Sequence, residues 1–328
     1  MANPEEKTDN DLYIKFLEKK HSAFVTSDDL IKSIVQKATG SELVAKNKII
    51  EGEMNEVYDV DVKDGKNVIV RISRIEKESF ESEENTIRLV RMAGVPAPKV
   101  LLIEEVSSDS KKVTFCVEEK MEGVSLKSQM KDLDKETLKK IIIEAGSVLS
   151  KIHSISIETF GPLEGGEKYN SWKDFIFRIE NKKKNIFKAI KTVDINPTFI
   201  ERAFNILDRN NHMFALNNPK LLHGEFFPKH LIIKDNHLVG VIDFEDAKAG
   251  DPVWDMAWLS YFYHDSIPID WLKEGYENKE LFNNDFDLKM KLYRLNLGLD
   301  FLDYYQTENN ISGMRYAKER LLAEINNF

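Results

Sequence analysis

The spacing of apolar residues changes from a helical to an alternating pattern along the first part of the chain. Apolar residues recur every three or four positions over Leu30–Ala38, after the polar start Thr26–Asp29. This spacing, with a hydroxyl cap before it and Gly40 after it, predicts an α-helix. From Lys48 onward, apolar and polar residues alternate on both sides of Lys63–Lys66, which contains an Asp-Gly pair. This second pattern predicts a β-hairpin.

A helix and two more strands are predicted after the hairpin. Helical spacing covers Glu76–Met92, and the prolines that follow prevent the helix from continuing. The apolar runs Val100–Glu104 and Lys112–Glu118 are predicted strands, joined by a turn rich in serine and aspartate. Near the start of the chain, Leu12–Leu17 is a short helix candidate. The first part of the chain is therefore expected to be rich in β-structure.

After Gly123 the helical spacing dominates, and two short apolar strands interrupt it. These strands are Leu231–Ile233 and Val239–Ile242. The predicted helices are Glu136–His153, Trp172–Ile190, Phe199–Asn210, Trp254–Tyr263 and Lys289–Tyr305. This division predicts an α+β fold of two lobes. Residues 1–118 would form a small β-rich N-terminal lobe, and residues 119–328 a larger, mainly helical C-terminal lobe.

Four polar residues with complementary chemistry surround these two strands. The loop before the first strand contains the carboxylate Glu225, the cation Lys229 and the imidazole His230, and Asp243 follows the second strand. Phosphoryl transfer needs such a set, because one group must orient the attacking hydroxyl while others hold Mg²⁺ and neutralise phosphate charge. Taken alone, each residue also has a simpler interpretation. Glu225 would cap a solvated Lys229. His230 would pack beneath the loop, and Asp243 would pair with a lysine.

The composition limits the classes of protein to be considered. The 328 residues are 42% hydrophobic, which predicts a packed core, and the net charge of −9 argues against a broad nucleic-acid surface. Cys116 is the single cysteine, so no intrachain disulfide is expected. The first residues lack the pattern of a signal peptide, and no apolar run reaches the roughly 20 residues of a membrane helix. A soluble cytoplasmic protein is expected.

A series of short motifs gives the most specific information about the family. The motifs are His223-Gly224-Glu225, Ile242-Asp243-Phe244, Gly250-Asp251-Pro252, and Phe160-Gly161-Pro162-Leu163 followed by Ser171-Trp172. Their combination and order resemble the aminoglycoside phosphotransferase family over about Ile49 to Tyr263. This resemblance implies the protein-kinase-like fold, and a small-molecule kinase that uses ATP or GTP together with Mg²⁺.

The resemblance also implies a role for each residue of the catalytic motifs. Glu225 lies where the family usually has its catalytic aspartate. The residue type of Lys229 suits a contact with the γ-phosphate, and a solvated lysine is equally compatible with its position. Asp243 and His230 are expected to hold Mg²⁺, although the family usually has asparagine in place of this histidine. The residues expected to support the catalytic loop or to cap the helix after it are His223, Asp251 and Asp255.

For nucleotide binding, the resemblance points to residues of the N-terminal lobe and of the segment that connects it to the C-terminal lobe. Arg71 would reach the phosphates and pair with Glu83, although taken alone Arg71 is equally well a surface residue of an alternating strand. Glu119 and Met121 lie in the lobe connection, which binds adenine through its backbone in that family. Residues 51–57 lie where a loop would cover the phosphates.

Two functions from different classes are compatible with these observations. The first is a kinase that transfers the γ-phosphate of ATP or GTP to a hydroxyl of a small molecule. Cationic acceptors are candidates, such as an aminoglycoside-like antibiotic or an amino alcohol, and the former would give antibiotic resistance. The second is a catalytically weak nucleotide-binding sensor or pseudokinase-like protein, suggested by the unusual residues Glu225 and His230. In both cases the expected partners are a nucleotide and a small molecule, without nucleic acid or membrane.

Overall fold

The computed structural model describes residues 17–50, 55–74, 80–108, 111–163 and 166–328. Three predicted features fall partly or largely outside these ranges. They are the Leu12–Leu17 helix, the phosphate-covering loop at residues 51–57 and the first turn of the helix predicted over Glu76–Met92. Within the described part, residues 17–22 are helical.

The chain forms two compact units. One comprises Met1–Arg88 and Ala97–Glu122, and the other comprises Leu89–Pro96 and Gly123–Phe328. The lobe boundary between residues 118 and 119 stays a prediction. The content of the two units agrees with the predicted α+β class, because one holds a β-sheet and the other is mainly helical.

A five-stranded antiparallel sheet is the centre of the first unit. Its strands are β1 (Leu43–Ile49), β2 (Glu56–Val62), β3 (Val68–Ser73), β4 (Val100–Ser108) and β5 (Lys111–Glu119). They lie in the order β1-β2-β3-β5-β4. The predicted hairpin is β2–β3, in which Tyr58 pairs with Val70 and Val60 pairs with Val68. The other two predicted strands are β4 and β5.

Strand β1 begins earlier than the sequence pattern indicates. Alternation is visible only from Lys48, whereas the strand starts at Leu43. It is an edge strand that pairs only with β2 in the described part of the chain, and none of its side chains is fully buried. Because neither face of this strand is buried, its sequence shows no alternation of apolar and polar residues.

Helix α1 (Asp28–Thr39) packs its apolar side on this sheet. Ser27 caps the helix by accepting a hydrogen bond from the N–H of Leu30, and Gly40 ends it with a left-handed φ of 72°. Ile31 and Val35 are buried in one cluster with residues of β2, β3 and β5. The predicted start and end of this helix are both confirmed. Helix α2 (Phe80–Met92) follows β3 in the chain.

Helices make up most of the second unit. They are α3 (Leu126–Gln129), α4 (Lys135–Ser154), α5 (Trp172–Phe177), α6 (Lys183–Thr192), α7 (Pro197–Arg209), α8 (Val253–Tyr263), α9 (Ile269–Gly275), α10 (Phe286–Thr307) and α11 (Ile311–Asn326). Short 3₁₀ turns cover Arg178–Lys182, Asn211–Phe214, Pro228–His230 and Lys279–Phe282. Four predicted helices correspond to α4, α7, α8 and α10, with ends that differ by a few residues.

The helix predicted over Trp172–Ile190 is wrong in one respect. The structure divides it into α5 and α6, with the 3₁₀ turn Arg178–Lys182 between them. The residues from Glu180 to Asn185 are all polar, so no side chain in this interval can bury itself in the core. A continuous α-helix therefore has nothing to hold it at this point.

Two small sheets complete the second unit. Their strands are β6 (Val124–Ser125), β7 (Gly161–Pro162), β8 (Lys220–Leu222), β9 (Leu231–Lys234), β10 (His237–Val241) and β11 (Lys248–Gly250). The strands lie in the orders β10-β9-β6 and β7-β11-β8. The two apolar runs predicted after the polar loop are β9 and β10, which form an antiparallel pair.

Candidate active site

Two loops of the second unit carry the candidate catalytic residues. One loop joins β8 to β9 and contains Glu225, and the other joins β10 to β11 and contains Asp243. Strand β11 pairs with β8, with Lys248 opposite Leu222, and β10 pairs with β9, with Val241 opposite Leu231. Because both ends of the two loops are tied together by strand pairing, the loops lie side by side.

The buried carboxylate of Asp255 in α8 fixes the start of the first loop. Its Oδ1 accepts from the N–H of Gly224 at 2.9 Å, and its Oδ2 accepts from the N–H of His223 at 2.8 Å. His153 of α4 lies 3.0 Å from the same Oδ2 through its Nε2. Burial alone would raise the pKa of Asp255, but these partners hold it below its ordinary value of 3.8. This carboxylate therefore stays charged and holds the loop backbone.

Gly224 is required by its surroundings. Its φ is 92°, and a Cβ at this position would lie 2.0 Å from the carbonyl oxygen of Asp246. Only glycine combines this left-handed backbone with so close an approach. The two loops are therefore in direct backbone contact immediately before Glu225.

His223 links the same two loops from the inside. Its Nε2 donates to the carbonyl of Ile242 at 3.0 Å, and its Nδ1 accepts from the N–H of Glu225 at 3.3 Å. Complete burial, and then the neighbouring His230, lower the pKa of His223 to about 4. The ring is therefore neutral, and its hydrogen bonds position Glu225 and the residue before Asp243.

This neutral histidine predicts an acid-sensitive fold. The pKa of His223 is about 4 in the folded protein and about 6.5 in the unfolded chain. Its contribution to the free energy of unfolding is therefore complete above pH 6.5 and is lost as the pH falls towards 4. The loss amounts to about 3 kcal/mol of unfolding free energy. Urea unfolding across this pH range should show a shallower pH dependence in His223→Gln than in the native protein. The exposed His212→Gln is the control, and equal slopes in all three proteins would contradict the prediction.

The Glu225 carboxyl has an unusual affinity for protons. Burial, followed by the negative charge of Asp246, raises the pKa of Glu225 from 4.5 to about 7. His230 and Lys248 oppose this rise, and Asp243 adds to it. A carboxyl with a pKa near 7 can accept a proton and release it again at neutral pH.

His230 connects Glu225 to Asp243. Its Nδ1 donates to the carbonyl of Glu225 at 3.1 Å, and its Nε2 lies 3.1 Å from Oδ2 of Asp243. Burial alone would lower the pKa of His230, but the charges of Asp243 and Glu225 outweigh it and the pKa is raised. The Asp243 side chain is 36% exposed, and its φ of 70° is a left-handed value that aspartate tolerates. Three residues that sequence reasoning singled out are thus brought together.

The first unit brings together two residues predicted for the nucleotide side. Nη1 of Arg71 on β3 lies 2.7 Å from both carboxylate oxygens of Glu83 on α2. Both side chains are buried, and the guanidinium lies over the ring of Phe80, 5.1 Å from its centroid. The surface interpretation of Arg71 does not agree with this burial.

Comparison with known proteins identifies the family. The profile of the phosphotransferase enzyme family, APH, matches residues 47–282, which is more than two thirds of the chain. The chain belongs to the phosphotransferase enzyme family. The predicted family and the predicted enzyme class, a phosphotransferase, are both confirmed.

Individual relatives of this phosphotransferase are distant but cover most of its length. Hygromycin-B 4-O-kinase from Escherichia coli is 21% identical over 283 residues, which are 83% of this chain and 78% of the relative. A thermostable mutant of aminoglycoside phosphotransferase APH(4)-Ia, in a ternary complex with ADP and hygromycin B, has a TM-score of 0.70 at 21% identity. That match covers 90% of this chain and 98% of that one.

A third structure has the same fold. The complex of gentamicin with APH(2″)-IIa has a TM-score of 0.62 at 18% identity and covers 92% of this chain and 99% of that one. These likenesses confirm the predicted two-lobe, protein-kinase-like α+β fold. Among the helices in the described ranges, none has the length and apolar character needed to cross a membrane.

The residues of this phosphotransferase fit the Mg²⁺ that its family implies. The buried Nε2 of His230 has no partner with hydrogen-bond geometry within the described ranges. The nearest carboxylate oxygen described for it is Oδ2 of Asp243, at 3.1 Å. No cluster of three or more His, Cys, Asp or Glu side chains suited to a metal occurs in the described residues. Mg²⁺ in kinases is typically held by one or two carboxylates and completes its shell with phosphate oxygens and water. Asp243 would be such a carboxylate, and neutral His230 would add a nitrogen ligand, which Mg²⁺ accepts less readily than oxygen.

The other predicted residues of the catalytic loops have different surroundings. Asp251 accepts from the N–H of Val253 at 3.1 Å and from Nζ of Lys289 at 2.7 Å, so it holds the start of α8. The hydroxyl of Tyr293 donates to the same carboxylate at 2.8 Å. Lys229 is partly exposed in the 3₁₀ turn Pro228–His230, and its phosphate role stays a prediction.

The two residues predicted to contact adenine, Glu119 and Met121, differ in the hydrogen bonding of their backbone N–H groups. The N–H of Glu119 is bonded to the carbonyl of Lys99 at 2.9 Å, and the N–H of Lys120 to that of Asn67 at 2.9 Å. The N–H of Met121 makes no backbone hydrogen bond to any residue in the described ranges. Met121 is therefore the better placed donor of the predicted pair.

Sequence reasoning missed two charged residues beside Glu225. Asp246 raises its pKa and Lys248 lowers it, and both follow Asp243 closely in the chain. Five residues, Glu245–Ala249, separate Phe244 from Gly250, and three of them are charged. This density of charge next to Asp243 was the available signal. Their closeness to Glu225 depends on the pairing of β11 with β8, which no local pattern indicates.

Proposed function

We propose that this phosphotransferase is a small-molecule kinase that transfers the γ-phosphate of ATP, or GTP, to a hydroxyl group. The observation that supports the proposal most strongly is the arrangement of Glu225, His230 and Asp243. His230 bonds to the backbone of Glu225 and approaches the carboxylate of Asp243 within 3.1 Å. A proton acceptor and two candidate metal ligands are thereby held in one cluster.

In the proposed reaction the hydroxyl oxygen of the acceptor attacks the γ-phosphorus, and the bond to the β-phosphate oxygen breaks, so that ADP leaves. Glu225 orients the hydroxyl and receives its proton. Its pKa of about 7 leaves a large fraction of the carboxyl ionised at neutral pH. When bound by His230 and Asp243, Mg²⁺ supplies positive charge to the phosphates. The rest of the catalysis is positioning.

The nucleotide side of the proposal rests on the first unit. The guanidinium of Arg71 is held by Glu83 through Nη1, and its planar fork of donors suits phosphate oxygens. The N–H of Met121 would bind the base. Residues 51–54 of the expected phosphate-covering loop lie outside the described ranges.

The acceptor is proposed at the level of class only. The relatives include a hygromycin-B kinase and a protein bound to gentamicin, so aminoglycosides are the first compounds to test. The glutamate and histidine at positions 225 and 230 also motivate the alternative of a nucleotide sensor with little turnover. Steady-state transfer from ATP to a panel of hydroxyl compounds distinguishes the two functions.

The nucleotide and metal site is tested by thermal unfolding with ATP or GTP, with and without Mg²⁺. In the native protein a saturating nucleotide with Mg²⁺ is expected to raise Tm by about 5 °C or more. In Asp243→Asn the Mg²⁺-dependent part of this rise should be lost, because the amide is a weaker ligand for a hard cation. The matched control is Asp270→Asn, whose carboxylate is 81% exposed.

Two results would count against the proposal. Without a Tm shift for either nucleotide in the native protein, a working kinase site would be excluded. An equal Mg²⁺-dependent shift in the native protein and Asp243→Asn would remove Asp243 from the metal site.

A further inference from the structure

Lys248 is a buried cation that the proposed reaction does not use. It lies on β11 between β7 and β8, opposite Pro162 and Leu222, and it is 7% exposed. Its Nζ makes no ion pair or hydrogen bond with any residue in the described ranges. An ammonium without an ion-pair partner on a largely buried side chain is a candidate for binding a ligand.

The ammonium of Lys248 lies beside the proposed proton acceptor. Its Nζ is 3.0 Å from the position that a Cβ of Gly224 would occupy, next to Glu225. Its charge lowers the pKa of both Glu225 and Asp300, so it lies within electrostatic range of both. Asp300 is already paired with Arg178 and with Lys182, whose Nζ is 2.5 Å away. The charge of Lys248 is therefore still available to a ligand.

An aromatic wall continues from Lys248 to the catalytic loop. We define it as Phe227, Trp258, Phe262 and Phe301, all partly exposed. Lys248 Nζ lies 5.9 Å from the centroid of the Trp258 ring. The ring of Trp258 lies 5.9 Å from that of Phe262, which lies 6.0 Å from that of Phe227, two positions after Glu225.

Two groups beside the aromatic wall are hydrogen-bond donors. The indole N–H of Trp258 is buried and has no hydrogen-bond partner in the described ranges. Together with the ammonium of Lys248 it offers two unused donors beside an apolar surface. A polycationic molecule would meet repulsion from Lys248, whereas a carboxylate or carbonyl oxygen would satisfy these donors.

We propose that Lys248 determines acceptor specificity by binding an anionic or carbonyl oxygen of the acceptor, while an apolar part of the same molecule lies on the aromatic wall. This inference rests on the proposed kinase function. It narrows the acceptor to amphipathic hydroxyl compounds that are neutral or negatively charged, and it departs from the expectation of a cationic acceptor.

The test uses three hydroxyl compounds with the same phenyl group and different charge. They are 3-phenyllactate, N-acetylphenylalaninol and phenylalaninol, which are anionic, neutral and cationic. ATP-dependent phosphorylation gives kcat and KM for each compound in the native protein, Lys248→Met and Lys248→Arg. Lys46→Met is the control, since Lys46 also lies over an aromatic ring, that of Tyr58, in the first unit.

The native enzyme is expected to prefer the anionic and neutral compounds. Lys248→Met should raise KM for 3-phenyllactate about 10- to 100-fold relative to KM for phenylalaninol, with the KM for ATP nearly unchanged. In Lys248→Met, phenylalaninol should become as good a substrate as 3-phenyllactate, or a better one. Lys248→Arg should restore part of the lost affinity for 3-phenyllactate. An equal fall in kcat for all acceptors, with no change in the order of their KM values, would assign Lys248 to the reacting groups alone and overturn the inference. Unchanged kinetics would overturn it as well.

Failure of the kinase function can be recognised separately. If no compound is phosphorylated, binding of the same three compounds is measured by calorimetry in the absence of nucleotide. Charge-dependent binding that Lys248→Met removes would support the acceptor site although the reaction is wrong. Binding that does not depend on ligand charge, or no binding at all, would overturn the role of Lys248.

Discussion

Glu225→Gln is expected to lower kcat by about 10²- to 10⁴-fold while the affinity for ATP stays within a factor of about two. The amide has the size of the carboxylate and can still orient a hydroxyl, but it cannot receive the proton. The hydrogen bonds that hold the loop involve the backbone of Glu225 and should persist. Steady-state kinetics with a turned-over acceptor, together with nucleotide titrations, measure the two effects separately.

Two further variants show whether a loss of kcat in Glu225→Gln comes from removing the proton acceptor. Glu158→Gln changes an exposed glutamate of the same unit and should leave kcat unchanged. Glu225→Asp keeps the carboxylate but moves it by more than about 1 Å, so an intermediate rate is expected. Full activity in Glu225→Gln would exclude Glu225 as the proton acceptor. A native protein that binds ATP but has no turnover with any acceptor would favour the sensor.

Asp255→Ala is expected to reduce the free energy of unfolding by about 3–5 kcal/mol. The substitution leaves the N–H groups of His223 and Gly224 without their acceptor, and it removes the hydrogen-bond partner of Nε2 of His153. These groups are buried, so water cannot replace the carboxylate without opening the core. Urea unfolding at neutral pH measures the loss.

The exposed Asp265→Ala is the control for this variant. Its carboxylate is 86% exposed, and a change of less than about 0.5 kcal/mol is expected. Asp255→Ala should also lose activity where it remains folded, because the backbone before Glu225 is no longer held. A stability within about 1 kcal/mol of the native protein would contradict the importance given to this carboxylate.

The parts of the fold that sequence reasoning predicted are those with strong local signals. Helix α1 has a cap, a buried side and a terminal glycine, and the hairpin β2–β3 has alternation and an Asp-Gly turn. Strand β1 buries too little to show its period, and the division between α5 and α6 follows from a polar interval whose effect depends on the core. The local sequence pattern therefore failed to predict secondary structure where the burial of a segment depends on elements distant in the chain.

The same limit applies to the candidate site. Glu225, His230 and Asp243 were found because they belong to short motifs in a known order. Lys248 was missed, because its closeness to Glu225 depends on the register in which Lys248 pairs with Leu222. The hydrogen bond between Asp255 and His153 joins positions 102 residues apart, and its geometry could not be read from either segment.

The double attachment of Glu225 has a consequence for substitutions at position 230. Its N–H is bound by His223 and its carbonyl by His230, so the side chain at position 230 serves as a backbone support as well as a candidate ligand. A substitution at position 230 would therefore alter the backbone that presents Glu225 as well as the candidate metal site, so its effects on catalysis and on metal binding cannot be separated.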